Sequence, residues 1–207
     1  MLALAVAVAA VAGAAAVHAV AFSADGRIVD RAILHALVDV GPGGGKGWPD
    51  MLPHVVDEPP SLLMAAAISL YAFARRSREL GIALALGVLG ASMTTMALKP
   101  LLAAARPAPF LAAVDQPSVH AWPSGHATAV VALALAAFYG APRSLRRAVA
   151  LIGGFVTAAV CSCLVVAAWH YPSDVLGGCL IALAWVLTAV VAASLTARRV
   201  RGRRASY

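Results

Sequence analysis

Charge is excluded from long stretches of this chain. Residues 2–22, 59–74, 80–98, 124–141 and 148–169 contain no Lys, Arg, Asp or Glu, and 174–197 contains none beyond Asp174 at its start. A bilayer-spanning helix needs about 20 apolar residues, within a range of about 17–25. A water-soluble core of this size cannot enclose six helices that are apolar on every side. The composition agrees: 62% of the 207 residues are hydrophobic and 12% are charged, against about 25% charged in soluble domains. The expectation is an all-α, polytopic membrane helical bundle with about six transmembrane helices, built as a single membrane domain over 1–207.

The net charge of +7 does not point to nucleic acid, because its excess lies in short clusters beside the apolar runs. Eleven of the 16 basic residues fall on one side of the expected bundle: Arg75, Arg76 and Arg78; Arg143, Arg146 and Arg147; and Arg198, Arg199, Arg201, Arg203 and Arg204. Arg27, Arg31, Lys46, Lys99 and Arg106 fall on the other. The side richer in Lys and Arg faces the cytoplasm, so both termini are expected there, with 198–207 as a basic cytoplasmic tail. The first span, 1–22, lacks a basic leader region, and its apolar run is too long for a secretory signal. It is expected to be a retained helix. Residues 23–58 form an extracytoplasmic segment in which Ile28, Val29, Ile33, Leu34, Leu37 and Val38 alternate with charge at helical spacing, as in an amphipathic helix lying on the interface. Gly41-Pro42-Gly43-Gly44-Gly45 breaks it, and Trp48 suits the headgroup level.

Three short motifs stand at the ends of apolar runs, all on the side opposite the arginine clusters. In the first, Lys99 and Arg106 each precede a proline, which biases them away from helix. Two cations fixed at a helix–loop break can neutralise a phosphate. The second, Pro123-Ser124-Gly125-His126, opens the fourth span. Small residues there let backbone N–H groups approach an anion, and His126 is a proton donor beside them. An N-cap serine with an interfacial histidine would look the same. The third is His170-Tyr171-Pro172-Ser173-Asp174. Spacing of i and i+4 puts His170 and Asp174 on one helix face, so the carboxylate can hold one ring nitrogen and leave the other to attack.

In this order the motifs resemble the signature of the type 2 phosphatidic acid phosphatase family, over roughly residues 60–195. The resemblance implies metal-independent phosphoester hydrolysis through a phosphohistidine, with no cofactor and no metal ligand. It makes 59–197 the catalytic bundle, with His170 as nucleophile, Asp174 as its orienter and His126 as the acid for the leaving oxygen. Lys99, Arg106, Ser124 and the Gly125 amide would hold the phosphate oxygens. The implied partners are a lipid phosphate substrate and the bilayer of the cell membrane, with the active site facing the extracytoplasmic side. The chain departs from the family at one place: where the family carries a Ser-Arg pair before the nucleophile, this sequence has Cys163 and Leu164. Three outcomes follow from that loss. The site is slow; or another cation fills in, with Arg27, Arg31 and Lys46 on the same side; or the chain binds phospholipid without hydrolysing it, as a scaffold. A lipid-linked phosphotransferase is a further alternative.

Among the remaining residues, His120 reads as a solvated loop histidine, and His18 as bonded to a neighbouring helix. Trp122, Trp169 and Trp185 read as packing or interface residues. Cys161, Cys163 and Cys179 fall inside spans and read as small buried hydrophobes.

Overall fold

The computed structural model describes residues 2–40, 47–102 and 121–204. Among these, the secondary structure is helical and contains no strand. The α-helices are α1 (Leu2–Ala21), α2 (Ala24–Val40), α3 (Trp48–Met51), α4 (Glu58–Arg75), α5 (Arg78–Leu102), α6 (Gly125–Gly140), α7 (Arg146–Val166) and α8 (Pro172–Arg204), with a 3₁₀ turn at Leu52–Val56. Six of them, α1 and α4–α8, coincide with the six apolar runs. Four, α1, α5, α7 and α8, contain segments long and apolar enough to cross a membrane. α4 has 18 residues and begins Glu-Pro-Pro. α6 is a shorter apolar helix of 16 residues, about 24 Å at 1.5 Å per residue. The expected six spans are thus six bundle helices, four of full crossing length. α8 exceeds the hydrocarbon thickness of about 30 Å because its 33 residues run on into the arginine-rich end.

α8 is the centre of the bundle. α1, α5 and α6 all pack along it, while α4 packs on α5 and α7 on α6. The core is built from small and branched residues, including Ala83, Leu84, Val88, Ala132, Ala136, Val160, Ala182 and Val186. Small side chains let apolar helices approach closely where no hydrophobic force separates them from lipid. The outward faces carry exposed apolar residues such as Val8, Leu63, Leu86, Leu151, Ile152 and Phe155, the arrangement a bilayer requires. The three cysteines are free thiols, Cys163 buried and Cys161 and Cys179 half-buried.

The amphipathic segment is the helix α2. Leu34 is buried, while Ile28, Val29, Ile33 and Leu37 are exposed, leaving an apolar face available to the interface. Asp30, one turn before the buried Leu34 and on the same side of the helix, ties α2 to α8, accepting the Ser173 hydroxyl at 2.5 Å and the Ser173 N–H at 3.1 Å. The glycine-rich link at 41–46 lies outside the described residues.

Two proline expectations are corrected. Pro100 does not end the third span; it lies inside α5, which continues to Leu102. A proline this near a helix end forfeits one hydrogen bond of the last turn instead of breaking a long ladder. Pro123 is not in the first turn of α6. Ser124 is the N-cap, so Pro123 stands just before the helix.

Candidate active site

The site forms where the N-termini of α6 and α8 meet. Ser124 caps α6 by accepting the Ala127 N–H at 3.3 Å, as N-cap serines do. The Ser124 N–H in turn donates to the Asp174 carbonyl at 3.0 Å. One turn on, the Thr128 hydroxyl donates to the Ser124 carbonyl at 2.8 Å, lies 3.3 Å from the Gly178 carbonyl, and meets the Thr95 hydroxyl of α5 at 3.1 Å. Ser124, Thr95, Thr128, His170 and Asp174 are all buried. A polar clasp therefore locks the second motif to the third, with every hydroxyl in it satisfied, as burial demands. The approach is close: a Cβ on Gly178 would sit 2.5 Å from the Ser124 carbonyl oxygen.

His170 is placed by backbone. The turn joining α7 to α8 sends the Trp169 and His170 N–H groups to the Leu164 carbonyl at 3.0 and 3.1 Å. Ala168 adopts φ 57° between them, a left-handed conformation that costs an alanine about 1–2 kcal/mol. Asp174 Oδ2 accepts the Tyr171 N–H at 2.8 Å and lies 3.4 Å from His170 Nδ1. The carboxylate is thus anchored before it reaches the imidazole; His170 and Asp174 approach at the long end of hydrogen-bond range, but not on one helix face as expected, because His170 precedes α8, which begins at Pro172.

Lys99 reaches the same place from α5. Its Nζ stands 3.7 Å from the point that a Cβ on Gly125 would occupy, so the missing side chain leaves the ammonium beside the start of α6. Lys99, Gly125 and His126 line one cavity of about 460 Å³, together with Thr95, Ser61, Asp57 and Glu58. Arg106, His120 and Lys46 lie outside the described residues. Arg27 and Arg31 are exposed on α2. Arg27 is one turn from Asp30 along α2.

Sequence reasoning missed the acidic partner of His126. Asp57, the N-cap residue of α4, offers Oδ1 to His126 Nε2 at 3.0 Å and Oδ2 to His54 Nδ1 at 2.9 Å. Trp169 makes T-shaped ring contacts with both imidazoles, 5.2 Å from His54 and 5.4 Å from His126, and its Nε1 donates to Asp50 at 2.7 Å. Burial pushes the Asp57 carboxyl up, but hydrogen bonds from His126 and His54 outweigh it, and the group is held below the ordinary carboxylate value. Asp30 behaves oppositely: burial raises it, beyond the lowering by its Ser173 hydrogen bonds, and Asp174 adds to the rise. The one local signal for Asp57 was an acidic residue directly before Glu-Pro-Pro and an apolar run, which reads only as a helix start.

His18 departs from expectation. It stacks on Trp122 at a centroid separation of 4.6 Å, and its Nδ1 finds no hydrogen-bond partner. Trp122 is buried against it, and Trp185 bonds Thr94. Among the described residues no group of three or more His, Cys, Asp or Glu is arranged to hold a metal.

Residues 80–198 match the PAP2 superfamily. The chain belongs to that superfamily. Leu164 and the three motif segments all fall inside the matched span. In three dimensions the chain is similar to the crystal structure of a transmembrane PAP2 type phosphatidylglycerolphosphate phosphatase from Bacillus subtilis. The TM-score is 0.73 and the identity 20%, over 88% of this chain and 93% of that one. At this identity the likeness speaks for the fold. No curated protein sequence matches the chain.

Proposed function

We propose that this chain is an integral membrane lipid phosphatase acting through a phosphohistidine on a lipid phosphomonoester or diphosphate. The substrate would be of the polyprenyl diphosphate, phosphatidic acid or phosphatidylglycerolphosphate type. The observation that carries this reading is the convergence of Lys99, Gly125 and His126 on one cavity, beside a His170–Asp174 pair clasped to the same helix start. In this reading Lys99, the α6 N-terminus with Ser124 and the Gly125 amide, and Arg106 draw the phosphate oxygens. Asp174 holds Nδ1 of His170, so Nε2 attacks phosphorus. The P–O bond breaks as the N–P bond forms, and His126 protonates the departing oxygen. Water then cleaves the N–P bond, with His126 taking back a proton. The arginine asymmetry supports a site on the extracytoplasmic face, where a headgroup enters while its tail stays in the bilayer.

Leu164 favours a second reading, a member that binds phospholipid without hydrolysis. Its side chain is fully buried in the apolar core, so position 164 itself supplies no cation. The purified protein, in detergent and with chelator present, is given the three lipid classes while free phosphate is measured. Release that is lost in His170→Ala is expected. Binding of these lipids without release from any of them would establish the second reading, and release undiminished in His170→Ala would end the assignment of the nucleophile.

A further inference from the structure

The cavity proposed to accept an anion is lined by two carboxylates, Asp57 and Glu58. An acid facing a phosphate dianion raises the cost of binding unless its charge is already matched. Both oxygens of Asp57 are engaged by imidazoles, His126 on Oδ1 and His54 on Oδ2. The backbone of Asp57 is fixed independently: it is the N-cap of α4, its carbonyl accepts the Ser61 N–H at 2.9 Å, and its side chain makes no cap hydrogen bond. The carboxylate is therefore presented outward from a rigid helix start, across 69 residues of sequence, to the second-motif histidine.

We propose that Asp57 is a positioning residue for His126: it orients the ring and holds it as the imidazolium that a leaving-group acid must be, while His54 steadies the same carboxylate from the other side. The inference rests on the reading of His126 as that acid. A carboxylate hydrogen-bonded to one ring nitrogen favours the protonated ring and fixes which nitrogen delivers the proton. With Nε2–H directed at Asp57, the proton passed to the lipid oxygen is the one on Nδ1. Asp57 stays ionised throughout, and His126 is neutral after transfer. The water that cleaves the phosphohistidine returns a proton to Nδ1 and restores the imidazolium. The lowered carboxyl of Asp57 agrees with this pairing. The other charges in the neighbourhood act in both directions. Glu58 on α4 favours the imidazolium and Lys99 on α5 opposes it, both lining the same cavity. Asp50 is engaged by Trp169, which makes a T-shaped ring contact with His126.

Two measurements on the full chain test this. The first is histidine ¹⁵N NMR of protein labelled at histidine, with the His126 signal assigned by its loss in His126→Gln. The His126 titration midpoint is expected to fall by about one unit in Asp57→Asn, as loss of a partly exposed opposite charge requires. The second is leaving-group dependence. Release from an alkyl lipid phosphate should fall about 10²-fold, the lower end of what general acid catalysis supplies. Release from a nitrophenyl phosphate, whose leaving group needs no proton, should change less than about threefold, since the same protonation step is bypassed. Asp57→Ser, which keeps an N-cap residue, serves as a second variant should Asp57→Asn not fold, and Asp57→Glu should recover part of the alkyl phosphate rate. An unchanged His126 midpoint, or equal losses on both substrates, overturns the proposal. Absence of phosphate release from the wild type would count against the phosphatase reading alone, since the NMR titration still decides the role of Asp57.

Discussion

Gly178→Ala should damage this protein twice, in stability and in rate, and Gly154→Ala should damage neither. A Cβ at 178 would lie 2.5 Å from the Ser124 carbonyl oxygen, 2.9 Å from Thr128 Oγ1 and 3.2 Å from Ala127 Cβ. Ordinary van der Waals contact begins at 3.4 Å, so the N-terminus of α6 must retreat from α8 by about 0.9 Å. Backbone supplies the closest of these contacts, and no rotamer change relieves it. Overpacking of this kind costs about 1–3 kcal/mol, which lowers Tm by about 3–10 °C in a chain of this size. The same shift pulls Ser124, Gly125 and His126 away from His170 and Asp174, and a misplacement near 1 Å costs about 10²-fold in rate. At Gly154 the added Cβ meets nothing within 4 Å, and alanine's better helix propensity should gain about 0.5–1 kcal/mol. Thermal unfolding followed by size-exclusion in detergent, with phosphate release from one lipid substrate, reads both quantities. Wild-type Tm and rate in Gly178→Ala would refute the clasp as the device that aligns the two histidine motifs.

Thr128→Val keeps the shape of the side chain but removes the hydroxyl donor to the Ser124 carbonyl; that carbonyl keeps the Thr128 N–H at 3.1 Å, so stability should fall by about 0.5–1.5 kcal/mol, the net worth of one hydrogen bond, measured as Tm. Leu164→Arg should raise phosphate release at least about tenfold, a small part of the about 10³–10⁵ that a well-placed arginine on a transferring phosphoryl group supplies, while lowering Tm through burial of charge; a fall in rate at unchanged Tm would mean that another group already fills that place. The folded-state carboxyl of Asp57 is lowered by its imidazole partners, so its contribution is present above the unfolded value and lost as pH falls through the folded one. Asp57→Asn should therefore lose less Tm than the wild type on acidification below about pH 4, the ordinary Asp range. Asp30, raised by burial, has the opposite sign: its ionised form weakens the fold above the ordinary range, and Asp30→Asn should gain relative Tm at neutral pH.

The bundle helices were legible because each is an apolar run, flanked in α4–α8 by arginine or proline, and most of their ends fall close to the expected bounds. α8 is the exception, continuing through the basic tail to Arg204, because arginine is a good helix former and nothing in 198–204 stops the helix. The three motifs were legible because each is local in sequence. What brings them together was not. The Thr95–Thr128–Gly178 clasp consists of ordinary small residues within apolar runs, where hydropathy registers only that they are tolerated. The Asp57–His126 pair spans 69 residues, and nothing local at Asp57 distinguishes a histidine partner from a plain N-cap. Asp30 was hidden similarly: it reads as one polar position of an amphipathic helix, and only packing of α2 against α8 gives it Ser173.

Position 164 separates two things that a motif residue does. Its carbonyl accepts the N–H groups of Trp169 and His170, and with Ala168 at φ 57° this shapes the turn that presents the third-motif histidine. Any residue supplies that carbonyl. The side chain, in contrast, is committed to the core beside Val160 and Val165, and an apolar branched residue packs there without a buried charge to compensate. In the proposed phosphatase, leucine in place of arginine at this point would remove a transition-state cation while the carbonyl contact that places His170 stays. Loss of a cation that acts on developing charge lowers kcat and kcat/KM together, whereas loss of placement would also scatter the His170–Asp174 geometry. The backbone of this chain keeps the His170–Asp174 contact, so in the proposed phosphatase any deficit from Leu164 would be electrostatic, and Leu164→Arg is the change that would offset it.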